Sequence, residues 1–276
     1  MSTPPRLVIK IGGSLDDPSR LLDDVAEQRH PVVLVHGAHR VLDDLAVRLG
    51  HRPRFITSAA GAVSRYTDDA AMDHFLMAYC GLVNKRLVQA LLARGVAAVG
   101  LAAMDGGMVR GRRRADIRGR EGVRTVVLHG DHAGTITGVD TSLPKALLES
   151  GRTPVICPPA LGGDGVPINV DGDRLAAELA VALGAERLLI FSDTRGFLTD
   201  PDRPQSTVSR AAASDLPTLA SAARGRARTK LAAVERALGG GVSAVGLCDG
   251  RPHRPLESAL AGAGSWFTEG ASIPVS

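Results

Sequence analysis

The chain has 276 residues, of which 44% are hydrophobic and 22% are charged. With a mean hydropathy of +0.06, this composition supports a buried core and excludes wholesale disorder. The formal net charge is +4, and aromatic residues make up only 3%, which argues against the base-stacking platforms that bind single-stranded nucleic acid.

Short aliphatic runs alternate with longer helical patterns, as a parallel α/β sheet requires. We predict strands over residues 7–11, 31–36, 96–101, 153–157, 187–191 and 242–247 and near Trp266. We predict helices over residues 19–29, 40–49, 67–94, 141–150, 173–183 and 226–238 and from about Pro255. This order predicts a three-layer αβα sandwich with a mostly parallel central sheet. An N-terminal lobe over 1–160 and a C-terminal lobe over 161–276 are expected to share that sheet.

Three further segments do not fit the alternation. Residues 53–65 are expected to be irregular or a hairpin, and the Arg-rich residues 108–127 to form one β-hairpin over the sheet edge. Residues 210–233 are biased towards Ala and Arg and predict only the helix from 226.

Cysteine usage and hydropathy predict a cytoplasmic location. Cys80, Cys157 and Cys248 lie far apart, without the spacing of a disulfide scaffold or a cysteine-rich zinc module. No apolar run approaches the roughly 20 residues that cross a membrane, so we expect no membrane association.

Lysine is scarce in this chain. Only Lys10, Lys85, Lys145 and Lys230 occur among the 33 basic residues. Because an ammonium group is a compact point charge and a guanidinium a planar fork, retained lysines are candidates for chemistry. Codon bias is the alternative explanation.

Glycine-rich turns follow the first two predicted strands, at Gly12-Gly13 and at Gly37. Backbone N–H groups in such turns can approach a phosphate closely. The GxxxxGK(S/T) pattern of P-loop enzymes and the GxGxxG pattern of dinucleotide sites are both absent. Together with Lys10 on the first strand, the turns indicate phosphoryl chemistry.

An acidic cluster at Asp171 and Asp173 stands just before a predicted helix. These carboxylates could cap that helix, or one of them could position cations. The spacing of a calcium-binding loop is not met.

In their order, these motifs resemble the amino acid kinase family, and within it the N-acetylglutamate kinase branch. The resemblance runs from about residue 6 to 268. Its motifs are Lys-Ile-Gly-Gly at 10–13, His-Gly at 36–37, Ser-Arg at 64–65, Asn-Lys at 84–85, Asn-Val-Asp-Gly-Asp at 169–173, Ser-Asp-x-x-Gly-Phe-Leu at 192–198, and Lys230. Residues 79–87 and 111–114 are similar to kinases that act on aminoadipate or glutamate attached to an amino-group carrier protein.

The resemblance implies the carbamate kinase-like fold, ATP as phosphoryl donor and Mg²⁺ held mainly by the phosphates, with no metal site formed by the protein. Lys10 and Lys230 would act on the phosphoryl group in flight, with Asp173 holding both. It implies an ATP site made of Lys10, Gly12, Gly13, Ser192, Asp193, Gly196 and Lys230. It implies an acceptor site made of Gly37, Ala38, His39, Arg65 and Asn169.

One position departs from the family pattern, which usually has Gly-Gly where this chain has Gly37-Ala38. If that position required a positive φ, alanine would be strained by roughly 1–2 kcal/mol. We expect altered geometry or substrate preference rather than loss of catalysis.

Residues 110–124 carry seven arginines against Asp116 and Glu121. Such a strip is expected to dock an acidic carrier protein, and a solvated face is the simpler alternative. Nucleic acid is not expected there. The docking residues would be Arg110, Arg112, Arg113, Arg114 and Arg118.

The sequence thus predicts a carrier-dependent kinase of aminoadipate or glutamate, in a homodimer. Two alternatives stay open. One is a kinase of free N-acetylglutamate in arginine biosynthesis, and the other is a catalytically idle homologue that senses a ligand.

Overall fold

The computed structural model describes residues 7–57, 63–114, 116–200 and 202–270. Its strands are β1 Leu7–Ile11, β2 Val32–His36, β3 Arg54–Thr57, β4 Val63–Tyr66, β5 Ala98–Ala102, β6 Val109–Arg113, β7 Asp116–Glu121, β8 Arg124–His129, β9 Gly134–Val139, β10 Thr153–Cys157, β11 Ala160–Gly162, β12 Pro167–Ile168, β13 Arg187–Ser192, β14 Arg210–Ala212, β15 Ala244–Asp249 and β16 Ser265–Thr268. Its α-helices are α1 Ser19–Ala26, α2 His39–Arg48, α3 Asp69–Leu76, α4 Asn84–Leu92, α5 Ser142–Glu149, α6 Gly172–Leu183, α7 Leu216–Ala222, α8 Arg226–Leu238 and α9 Pro255–Leu260.

Eight strands form the central sheet, in the order β14-β16-β15-β13-β1-β2-β10-β5. Neighbouring strands are parallel except β15 and β16, which are antiparallel. The predicted α/β class with a mostly parallel sheet is therefore confirmed. Strands from before and after residue 160 meet where β1 pairs with β13.

Helices cover both faces of this sheet. On one face, α6 and α8 contribute leucines such as Leu175, Leu179 and Leu231 to a buried cluster. On the other face, α1 and α4 contribute Leu22 and Leu91. Fully burying one such side chain stabilises the fold by about 1.5–3 kcal/mol, so the sandwich holds β1 firmly from both sides.

Two small four-stranded sheets lie beside the central one, in the orders β12-β11-β6-β9 and β4-β3-β7-β8. The single hairpin predicted over 108–127 is therefore wrong. β6 pairs with β9 in one small sheet, whereas β7 pairs with β8 and β3 in the other. Gly119 permits the second arrangement, since a Cβ atom there would lie 2.6 Å from Ile56.

The predicted helix over 67–94 is observed as α3, a π-helical segment over Met77–Val83, and α4. The expected break near Gly81 falls inside the π-helical segment. β14 and α7 were not predicted, because the Ala- and Arg-rich sequence around them has no clear periodicity. Among the described residues, no helix is long and apolar enough to cross a membrane.

Candidate active site

The site lies at the carboxyl ends of β1 and β2, where α6 begins. Asp171 is the N-cap of α6, and its Oδ1 accepts hydrogen bonds from the backbone N–H groups of Asp173 and Arg174, both at 2.9 Å. The capping role proposed for this acidic cluster thus belongs to Asp171. The Asp173 carboxylate remains available for cations.

Asp173 lies between the two lysines that the sequence singled out. Its Oδ1 is 2.6 Å from Lys10 Nζ and its Oδ2 is 3.4 Å from Lys230 Nζ. Lys10 and Asp173 are only 7% and 8% exposed. An unpaired buried charge would cost several kcal/mol, so each group depends on the others.

Burial and pairing oppose each other in the pKa values of Asp173 and Lys230. Burial alone would raise the pKa of Asp173, but Lys10 and Lys230 together hold it well below its usual range. Burial lowers the pKa of Lys230, which Asp173 partly restores. The Asp173 carboxylate therefore offsets the repulsion between two lysine side chains that lie close together.

A second buried carboxylate fixes α8 against α6. Glu178 accepts hydrogen bonds from Arg174 Nε at 2.8 Å and from Arg236 at 3.0 and 2.8 Å. Because Glu178 is on the helix of Asp173 and Arg236 is on the helix of Lys230, this contact sets how the two catalytic candidates face each other.

The glycine turn after β1 approaches the start of α2 closely. A Cβ atom at Gly13 would lie 2.8 Å from the His39 backbone nitrogen and 2.7 Å from its Nδ1. A Cβ atom at Gly12 would lie 2.7 Å from the Phe191 carbonyl oxygen. Only glycine fits at these two positions, and the resulting space beside the N-terminus of α2 suits an anion.

Ala38 adopts a φ of −150° and a ψ of 26°, so the condition under which alanine would be strained, a positive φ, is not met. The residue is 2% exposed. The backbone N–H of Ala38 donates to the Tyr79 phenol oxygen, and burial raises the pKa of Tyr79 to about 12. Alanine is therefore accommodated here without a left-handed backbone.

Eight of the predicted site residues line one cleft, together with Ser14, Tyr79, Asp171, Arg226 and Thr229, among others. The eight are Lys10, Gly12, Gly13, Gly37, His39, Asn169, Asp173 and Lys230. Tyr79 and Arg226 had not been assigned to the site. Arg226 could have been found from its spacing, because it lies one helical turn before Lys230 on α8.

Asn169 and Arg65 differ in how available they are. Asn169 Nδ2 donates to Thr67 Oγ1 at 3.1 Å, which orients the amide along the cleft wall. Arg65 lies outside the cleft lining, paired with Asp43 of α2 and 4.9 Å above the Phe55 ring. To reach a bound acceptor, the Arg65 guanidinium would have to leave Asp43.

The three residues predicted for the nucleotide lie at the end of β13, beside the glycine turn. Asp193 accepts a hydrogen bond from Ser14 Oγ at 2.8 Å. The Ser192 hydroxyl is 3.0 Å from Thr194 Oγ1. Gly196 packs so closely under Ser265 that a Cβ atom would lie 2.4 Å from its hydroxyl.

The asparagine and lysine at 84–85 have structural contacts. Asn84 Nδ2 donates to the Val155 carbonyl at 2.9 Å and lies 3.2 Å from His36 Nε2, joining α4 to β2 and β10. Lys85 Nζ donates to Asn84 Oδ1 at 3.1 Å. Burial lowers the pKa of His36 to about 4, so this ring is neutral.

The arginine strip is mostly exposed. Arg110 and Arg112 alternate with buried Gly111 on β6, so they project from the same side of the strand. Arg113 differs, because its guanidinium donates to the carbonyls of Asp131 and Gly130 at 2.8 and 2.7 Å. Arg114 and Arg118 are exposed.

The sequence of this chain also matches a known protein family. The profile described as the amino acid kinase family matches residues 5–246. The chain belongs to the amino acid kinase family.

The chain is similar to kinases named for a carrier-bound acceptor and to one named for acetylglutamate. The chain is 41% identical over 263 residues to LysW-aminoadipate kinase of Deinococcus radiodurans, covering 94% of this chain and 90% of the relative. It is 37% identical to LysW-aminoadipate kinase of Thermus thermophilus, covering 94% and 98%. It is also 36% identical to acetylglutamate kinase of Symbiobacterium thermophilum, covering 91% and 86%.

Solved structures share the fold. The N-acetylglutamate synthase of Neisseria gonorrhoeae, complexed with coenzyme A and N-acetyl-glutamate, superposes with a TM-score of 0.76 at 25% identity. That match covers 97% of this chain but 60% of the synthase chain. A Giardia carbamate kinase superposes with a TM-score of 0.68 at 15% identity, covering 97% and 99%, which shows the fold alone.

The Asp173 contacts predict a measurable change in Lys230. In Asp173→Asn, the pKa of Lys230 should fall, because the carboxylate that raises it is gone. Acetylation of Lys230 should then begin at a correspondingly lower pH. Mass spectrometry can follow this site individually, because the chain has only four lysines.

Lys145, on α5, serves as the internal reference for reagent reactivity. Asp44→Asn removes an exposed carboxylate on α2 and is the matched control, so its Lys230 curve should coincide with that of the unmodified chain. An unshifted curve in Asp173→Asn would contradict the electrostatic role of Asp173.

Proposed function

We propose that this protein transfers the γ-phosphoryl group of ATP to a side-chain carboxylate, forming an acyl phosphate. The acceptor would be 2-aminoadipate or glutamate carried on an acidic amino-group carrier protein. The observation that carries this proposal is the pair of lysines on one buried carboxylate, opposite a glycine turn. The names of the Deinococcus and Thermus relatives support the acceptor class.

The chemistry requires little beyond this arrangement. A side-chain carboxylate is already ionised at neutral pH, with a pKa of about 4.3 for glutamate, so it needs no general base. The enzyme must align it with the phosphoryl group and stabilise the charge that develops. Lys10 on β1 and Lys230 on α8 would supply that stabilisation from two directions, while Asp173 holds both in place.

ATP would bind towards the C-terminal lobe, residues 161–276. Gly12 and Gly13 leave room for its phosphates, and Ser192, Asp193 and Gly196 would lie along its nucleoside portion. Among the described residues, no group of three or more His, Cys, Asp or Glu side chains could hold a metal ion. We propose that Mg²⁺ is held mainly by the phosphates of ATP, where it would neutralise part of their charge.

The acyl acceptor would bind towards the N-terminal lobe, residues 1–160. Gly37, Ala38 and His39 form the start of α2, where backbone N–H groups favour an anion. The Asn169 amide, oriented by Thr67, faces the same cleft. Arg65 would pair with an acceptor carboxylate after exchanging its contact with Asp43.

The exposed arginines of β6 and its neighbours support a protein-bound acceptor. The strip carries a local charge of +5 over residues 110–124. Complementary charge would mainly raise the rate of association with an acidic carrier. Arg110, Arg112, Arg114 and Arg118 would make this contact directly, whereas Arg113 would act by bracing the turn at Asp131.

A second candidate function is the phosphorylation of free N-acetylglutamate, which the acetylglutamate kinase relative supports at 36% identity. The two functions differ in one measurement, the turnover of free against carrier-bound acceptor.

A cytoplasmic location is part of the proposal. ATP is a cytoplasmic substrate, and free thiols at Cys80, Cys157 and Cys248 suit the same reducing compartment.

A homodimer is our proposal for the assembly. The π-helical segment exposes 53% of Met77 and 37% of Leu82, and five-residue spacing in such a segment places both on one side. A second copy of the chain could cover this apolar surface together with the edge strand β5.

The kinase proposal predicts ATP turnover with aminoadipate or glutamate on the carrier protein, exceeding that with free N-acetylglutamate. Lys10→Arg and Lys230→Arg should each lower kcat by about 10²–10³, because the planar fork cannot replace a compact ammonium group. ATP should still bind, as calorimetry would show. Lys145→Arg is the matched control.

Faster turnover of free N-acetylglutamate would favour the second candidate. Binding of ATP without turnover of any acceptor would instead indicate the catalytically idle homologue. Near-normal kcat in both lysine variants would contradict the assignment of Lys10 and Lys230.

Carrier docking predicts a charge-dependent KM. The triple change Arg110→Glu, Arg112→Glu and Arg114→Glu should raise KM for carrier-bound acceptor about tenfold at low salt and less at high salt. The KM for ATP should not change. The control is Arg29→Glu with Arg152→Glu, at the opposite end of the central sheet. An equal rise in KM for carrier-bound acceptor with the two sets would refute a specific docking surface.

The dimer proposal predicts a mass of about twice 28.7 kDa in light scattering. Met77→Glu with Leu82→Glu should yield the monomer, because it places charge in the proposed interface. Val123→Glu, at a residue that is 92% exposed on another surface, should keep the dimer. A hexamer or a monomer of the unmodified chain would contradict the proposal.

A further inference from the structure

His39 begins α2 and projects over the glycine turn. Its Nδ1 lies 2.7 Å from the position that a Cβ atom would take on Gly13, so the ring borders the space proposed for the phosphoryl group. On the opposite side of the ring, Nε2 lies 2.6 Å from Arg226 Nη1. Among the described residues, no carbonyl or side chain accepts a hydrogen bond from Nδ1.

The partner of Nε2 decides where the ring carries its proton. A guanidinium group has only donors and stays protonated in proteins. Arg226 therefore donates, and Nε2 must offer a lone pair. A neutral imidazole with an unprotonated Nε2 carries its hydrogen on Nδ1.

We propose that Arg226 is a positioning residue that holds His39 as the neutral Nδ1–H tautomer, so that Nδ1–H donates to the anion bound over Gly13. This inference rests on the phosphoryl-transfer function proposed above. Arg226, on α8, would act on the reacting groups through the His39 ring.

The charged groups around His39 keep the ring neutral. Burial, then Arg226 and Lys10, and then Arg40 and Arg65 lower its pKa to about 4. These groups come from α8, β1, α2 itself and β4, and all of them are cationic. The ring therefore stays unprotonated throughout the neutral pH range, and the tautomer is fixed by the hydrogen bond to Arg226.

A neutral donor differs in effect from a third cation. Lys10 and Lys230 act on phosphoryl oxygens as point charges, whose attraction depends on distance much more than on direction. A fixed N–H group adds a directional hydrogen bond that depends on where the phosphoryl oxygen lies. Arg226 also lies one turn before Lys230, so one helix positions both groups.

Nuclear magnetic resonance of protein with ¹⁵N-labelled histidine tests the tautomer without any acceptor. The chain has eight histidines, and loss of one signal set in His39→Asn identifies His39. We expect a protonated Nδ1 and an unprotonated Nε2 from pH 6 to 8. We also expect the Nδ1–H signal to shift when inorganic pyrophosphate is added.

In Arg226→Met, the fixed tautomer should be lost and the pKa of His39 should rise, because a nearby cation is gone. Arg228→Met removes the same charge two residues away on α8 and should leave the His39 signals unchanged. An Nε2–H tautomer in the unmodified protein, or an Nδ1–H signal indifferent to pyrophosphate, would overturn the proposal.

Kinetics separate positioning from direct contact. Arg226→Met should lower kcat by roughly 10–100-fold, the usual range for a residue that orients a functional ligand. Its kcat should partly recover towards acidic pH, because the imidazolium that then forms carries a hydrogen on Nδ1 whatever its neighbour. In a His39→Asn background, where an amide can donate without help from Arg226, the same change should have little further effect.

Additive losses in the double variant would show that Arg226 acts on the substrate directly and would refute a positioning role. The outcome is separable from the proposed function. If no acceptor is phosphorylated but the tautomer and the pyrophosphate response are as expected, the proposed function fails while Arg226 keeps its role towards a bound anion.

Discussion

The site depends on the buried ion contacts of Asp173. The Asp173 carboxylate lies 2.6 Å from the Lys10 ammonium group and 3.4 Å from the Lys230 ammonium group, at the carboxyl ends of the central strands. Each would be costly alone in this environment. The negative charge of Asp173 is stabilised further by the helix dipole, because the residue stands in the first turn of α6. The surrounding fold can therefore be understood as the means of bringing β1, α6 and α8 to one point.

The cleft combines permanent charge with neutral donors. Lys10 and Lys230 provide the charge, and the starts of α2 and α6 provide oriented backbone dipoles. No general base is required, since a carboxylate acceptor is ionised beforehand. His36 is kept neutral and internal at the end of β2, whereas neutral His39 faces the cleft. Two histidines three positions apart thus have different surroundings, one inside the packed core and one at the cleft.

Sequence reasoning located the framework well and the side-chain pairing poorly. Strand and helix positions followed from hydrophobic periodicity, and α8 was predicted at its observed bounds. The contact between His39 and Arg226 joins residues 187 positions apart, which no local pattern reports. Likewise, Arg113 looks like its neighbours in sequence but is used internally by the turn at Asp131. Which arginine is free depends on tertiary contacts that composition does not encode.

The hydrogen bonds from Arg236 to Glu178 affect how precisely Lys10 and Lys230 are placed relative to each other. Lys10 stands on β1, Asp173 on α6, which packs on β1, and Lys230 on α8, which packs beside α6 on the same face of the sheet. Small displacements at the interface between β1 and α6 and at the interface between α6 and α8 would add. The distance between the two ammonium groups would therefore vary with both. The aliphatic interface between β1 and α6 is close-packed. Charge-assisted hydrogen bonds from Arg236 to Glu178 fasten the interface between α6 and α8, and they thereby limit the variation in the distance between the two ammonium groups.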